Sequence, residues 1–138
     1  MNDDTETSHF AQLLQAAAAQ LQPQCLLFVF AGAELPPDAT PAQRERFERG
    51  EGGALAPLMC VDKTPDELSG FAALADEARQ FGPPWQVVFV AGLGGANGQP
   101  PSDAQVSQAL DRMVDAIKQG RFAGYAAYDP SGRLLSFS

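Results

Sequence analysis

The apolar segment Leu27-Phe28-Val29-Phe30 ends in Ala31-Gly32, and sixty residues later Val87-Val88-Phe89-Val90 ends in Ala91-Gly92. Each copy leads through a proline pair, Pro36-Pro37 and then Pro100-Pro101, to a residue suited to capping a helix. A strand that is apolar along its whole length needs cover on both faces, and a parallel sheet between helices supplies it. The repeat therefore points to an α/β architecture.

A chain of 138 residues fits one domain, and a domain of that size buries roughly two thirds of the surface its unfolded chain exposes. Nine Phe, two Tyr and one Trp supply core material. The longest apolar run, Cys25 to Gly32, is too short to span a bilayer. The start of the chain lacks the basic-then-apolar layout of a secretory signal, so the cytoplasm is the expected compartment. Seventeen acids against nine bases give a net charge of −8, which repels phosphate backbones and argues against nucleic acid as a partner.

Helical spacing of Phe10, Leu13, Leu14, Ala17 and Leu21 predicts a first helix over 8–21, after a flexible acidic leader over 1–8. The strand Leu26 to Phe30 follows. Thr40-Pro41-Ala42-Gln43 then opens a short exposed helix in which Phe47 is the one large apolar residue. Beyond a joint at Gly50, Gly52 and Gly53, a second strand is expected over Leu58 to Val61, with Pro57 at its entrance. Thr64-Pro65-Asp66-Glu67 and Ser102-Asp103-Ala104-Gln105 cap two longer helices on either side of a third strand, Trp85 to Ala91. Asp129-Pro130-Ser131-Gly132 is a turn between Phe122–Tyr128 and Leu134–Phe137. The expected fold is a single-domain αβαβαβαββ sandwich over 9–138, with a mixed, mainly parallel sheet of four or five strands and a C-terminal hairpin.

If the first three strands run parallel, Gly32 to Glu34, Asp62 to Thr64 and Gly92 to Asn97 emerge at one carboxyl end, where open α/β sheets hold ligands. Asp62, Lys63, Thr64, Gly92, Gly94, Gly95 and Asn97 are then candidate ligand-binding residues, with helix N-termini and the Lys63 charge suited to an anion. The plainer reading is that these residues make turns and caps. Gly92-Leu93-Gly94 opens a Gly-x-Gly pattern, but Asn97 stands where the third glycine belongs and no Gly-Lys-Ser/Thr follows.

Cys60, near Lys63 and a helix start, is a candidate reactive thiol; a small buried hydrophobe is the commoner role. Cys25 and Cys60 are expected to be unlinked. With His9 as the single histidine, neither a catalytic triad nor a multi-histidine zinc site can be assembled. No catalytic residue, metal or cofactor is assigned.

Leu26 to Leu35, Leu58 to Leu68 and Phe81 to Gly92 resemble a family of small proteobacterial proteins often labelled "ribonucleotide reductase subunit alpha". The resemblance implies at most an accessory of that enzyme: a complete catalytic subunit needs a ten-stranded barrel and more cysteines than the two here. The residues themselves favour a non-catalytic α/β domain that binds a partner protein or small ligand, with a homodimer through the hairpin edge as one arrangement. Thiol- or anion-handling chemistry at the carboxyl end of the sheet is the enzymatic alternative.

Overall fold

The first two expected strands form and extend beyond their apolar runs, the third is shifted to Val87–Gly94, and of the expected C-terminal hairpin only Ala126–Tyr128 is a strand among the described residues. The computed structural model describes residues 2–34, 38–48, 54–82, 84–122 and 124–135. The Pro36-Pro37 pair, the glycine joint at 50–53, the end of the expected hairpin at 136–137, and the side chains of Asp3, Asp4, Glu6 and Phe47 lie outside the described residues. The elements are α1 (Asn2–Ala18), β1 (Gln24–Glu34), α2 (Pro41–Glu48), β2 (Ala54–Lys63), α3 (Phe71–Phe81), β3 (Val87–Gly94), α4 (Asp103–Lys118) and β4 (Ala126–Tyr128). No helix among the described residues is long and apolar enough to cross a membrane.

The four strands lie in the order β2-β1-β3-β4, and every neighbouring pair is antiparallel. This corrects the expectation of a mainly parallel sheet. Unbroken apolar strands need two covered faces, and helices cover both faces here whatever the strand direction. The β1-to-β2 connection explains the reversal. Its helix α2 carries Arg44, Glu45 and Arg46 and is exposed from Pro41 to Arg46, so its described side chains offer no apolar stripe with which to pack as a crossover. The chain turns back instead, and β2 pairs alongside β1.

Period-two alternation divides β1 between two cores. Leu26, Phe28 and Phe30 join Phe10 of α1, and Phe71, Leu74 and Ala78 of α3, with Trp85, Val88, Val90 and Tyr128. Cys25, Leu27, Val29 and Ala31 face Met113 and Ile117 of α4, with Val87, Phe89 and Ala127. Phe28, Val29 and Phe30 are wholly buried. Burial of each such side chain contributes ~1.5–3 kcal/mol.

Two expected capping boxes form as read. Gln43 N–H donates to Thr40 Oγ1 at 3.2 Å while Thr40 N–H donates to Gln43 Oε1 at 2.8 Å. Ser102 and Gln105 repeat the exchange at the start of α4, at 3.2 and 2.9 Å. Thr64 opens only a 3-10 turn over Pro65–Glu67. Leu68 then turns extended and Gly70 takes φ +156°, so α3 begins at Phe71.

Pro57 lies inside β2 rather than at its entrance. Phe30 opposes Met59 and Ala31 opposes Pro57, leaving Leu58 as the extra residue of a bulge. An edge strand tolerates both, because its outer N–H groups have no ladder to complete. At the other edge, β4 has three residues, and beyond it Tyr128 makes an isolated bridge with Leu134 around the Asp129–Gly132 turn.

Candidate functional site

Because β1 runs against both neighbours, Gly32 and Ala33 stand at the opposite end of the sheet from Lys63 and Gly94. They oppose Ala56 and Leu55, whereas Leu26 opposes both Lys63 and Gly92, and Gln24 opposes Gly94. The rim expected from three converging loops is thus reduced to the ends of β2 and β3, on either side of where β1 begins.

Within that end, Asp62 and Lys63 point to opposite faces. Lys63 opposes Leu26, on the α1/α3 side, and its Nζ donates to Glu77 Oε1 at 3.0 Å. Asp62 opposes Leu27, on the α4 side, and its Oδ2 is 4.0 Å from Cys25 Sγ. Burial pushes the Cys25 thiol up to about 11, with the Asp62 and Glu67 charges adding and the Lys63 backbone N–H opposing.

Thr64 serves its own turn. Its N–H and its hydroxyl both donate to Glu67 Oε1, at 2.8 and 3.0 Å. These bonds, the backbone one first, hold the Glu67 carboxyl below its ordinary value. Thr64 and Asp66 line a cleft of about 320 Å³ with Gln20, Gln22, Gln24 and Pro100. The glutamine side chains there are bonded to Ala16 O, to Gly98 N–H and to Gln22 O.

The glycine loop is a closed turn. Ala96 and Gln99 exchange backbone hydrogen bonds at 3.0 and 2.9 Å, and the central residues Asn97 and Gly98 have φ 55° and 75°. Positive φ at both central positions is the pattern of a type I′ turn, for which Asn-Gly is the favoured pair. Gly95 N–H donates to Pro23 O at 2.8 Å and Gly98 N–H to Gln22 Oε1 at 2.7 Å. Four of the N–H groups that a phosphate loop would offer are therefore bonded within the protein. Gly92 and Gly94 lie under the Gln24 side chain: a Cβ on Gly94 would stand 2.9 Å from Gln24 Nε2.

Cys60 is free and exposed on β2. It opposes Val29 on the α4 side, across the sheet from Lys63. Burial and then the Asp111 charge raise its thiol pKa, opposite to what an activated nucleophile requires. Among the described residues, no group of three or more His, Cys, Asp or Glu side chains could hold a metal ion.

A different surface emerges at the β2 edge. Phe30, Met59, Val61, Leu74 and Ala78, with Glu77 at the rim, line a trough of about 160 Å³ between β2 and α3. Beside it, β2 runs for ten residues with β1 as its one sheet neighbour among the described residues. No family model, curated protein or solved structure matches the chain, so this geometry stands without a relative to interpret it.

Proposed function

We propose that this chain is a non-catalytic binding domain that engages a partner protein along β2. The observation that carries the reading is a ten-residue edge strand lying beside an apolar trough. An edge strand presents unpaired N–H and C=O groups to any extended chain that approaches it. Pairing of this kind takes affinity from the main chain and selectivity from pockets that receive alternate side chains. The polar candidates give no comparable surface: Asp62 and Lys63 diverge across the sheet, and the glycine turn is internally bonded.

Cys60 places a probe on this edge. With benzophenone maleimide on Cys60 and Cys25 replaced by alanine, irradiation in an extract of the producing cells should give a discrete cross-linked protein. The same label on Ser107→Cys, on the exposed side of α4, in a chain with Cys25 and Cys60 both replaced by alanine, should not give it. Cross-linking that is equal at the two positions, or absent from Cys60, refutes the proposal.

A further inference from the structure

The two faces flanking β2 differ in chemistry, and the difference specifies an occupant. On the α3 side, Met59 and Val61 line the apolar trough. On the α4 side stands Asp62, opposite Leu27, and α4, which packs against β2, carries the exposed Asp111. Asp66 and Glu67, beyond Lys63, extend the negative charge. Lys63, the base within β2, is held by Glu77 at 3.0 Å.

A strand added to β2 would send alternate side chains to these two faces, because its period is two. We infer that β2 takes an extended partner segment in which apolar residues, directed into the trough, alternate with Lys or Arg directed at Asp62 and Asp111. This rests on the reading of β2 as the binding edge and adds the partner's chemistry. A second copy of the chain fits less well, because each copy carries a net charge of −8 and like fields repel.

The test is selection of a random dodecapeptide library on the immobilised full chain, followed by affinity measurement on the enriched peptides. Enrichment of alternating apolar and basic residues is expected, with binding that weakens as salt rises. The exposed double variant Asp62→Asn/Asp111→Asn should bind such peptides about fivefold more weakly at low salt. Methylation of successive peptide nitrogens should abolish binding at every second position, as strand addition requires.

Period-two sensitivity to N-methylation in peptides without basic enrichment would overturn the charge inference and leave the edge reading intact. Peptides that tolerate N-methylation throughout, and bind equally after Cys60 is blocked with maleimide, would overturn the edge reading itself. Failure to enrich any peptide would overturn both.

Discussion

His9 Nδ1 and the Tyr128 hydroxyl stand 2.6 Å apart, joining the first helix to the last strand across 119 positions of sequence. Tyr128 is wholly buried, with the rings of Phe10 and Phe71 at 5.5 and 5.7 Å. The bond thus ties α1, which covers one face of the sheet, to the edge strand β4. Replacement of Tyr128 by Phe keeps the packing and removes the bond. A loss of ~1 kcal/mol is expected, lowering the melting temperature by about 4 °C. In a double-mutant cycle with His9→Ala, the two losses should fall short of additivity by at least ~0.5 kcal/mol. Strict additivity would show that the contact contributes nothing.

Alkaline pH should weaken the fold in two overlapping steps. Burial pushes Tyr128 from its ordinary 10.0 up to about 12, and burial followed by neighbouring carboxylates pushes Cys25 from 9.0 up to about 11. A raised folded-state value means that the native form holds its proton more tightly than the unfolded chain does. The associated stability is complete below the unfolded value and disappears as pH rises through the folded one. The melting temperature should therefore hold level to about pH 9 and decline toward 12. Because burial also raises Cys60, the double variant Cys25→Ala/Cys60→Ala should move the onset to about pH 10, and a variant with an unchanged onset would refute the assignment.

Features set by a few adjacent residues were legible in the sequence. Ser102 with Gln105 and Thr40 with Gln43 are local exchanges that need no tertiary partner to be recognised. Strand direction was not legible, because an apolar run covered on two faces looks the same in parallel and antiparallel sheets. What decides it is the charged helix α2, which cannot pack across the sheet as a crossover. The convergence of three loops at one rim was lost with that direction, and Asp62 and Lys63, as consecutive residues of β2, face opposite ways.

The glycine loop held a more specific signal than Gly92-Leu93-Gly94. Asn97-Gly98 is the strongest short mark of a tight hairpin turn, and it is what the backbone obeys. The trough was out of reach for another reason. Phe30, Met59 and Leu74 come together only once β2 is known to be the outer neighbour of β1 and α3 is known to lie over that side.

Two glycines of this turn should respond very differently to alanine. A Cβ on Gly95 would fall 1.8 Å from the Gln99 carbonyl oxygen, a backbone atom that cannot move without opening the turn. Gly98 has open space around its Cβ position but sits at φ +75°. Gly98→Ala should cost ~1–2 kcal/mol, from left-handed strain alone. Gly95→Ala should cost more than ~3 kcal/mol, through the steric conflict and the loss of the Pro23 bond. Urea denaturation midpoints compare the two, and equal midpoints would show that the turn is not constrained as described.

The two thiols should separate cleanly in reactivity. Cys25 is 6% exposed in the core on the α4 side, whereas Cys60 is exposed on the edge strand β2. Ellman's reagent at pH 8 should therefore titrate one thiol per native chain, with the second appearing on denaturation. Reaction requires the thiolate, and the Cys60 thiol is raised by burial and then by Asp111. Its native rate should accordingly fall below that of the same thiol in denaturant, and Asp111→Asn should speed it about twofold by removing an exposed like charge. A native rate that ignores residue 111 would place the carboxylate too far from β2 to act on anything that pairs there, including the basic side chains of a bound strand.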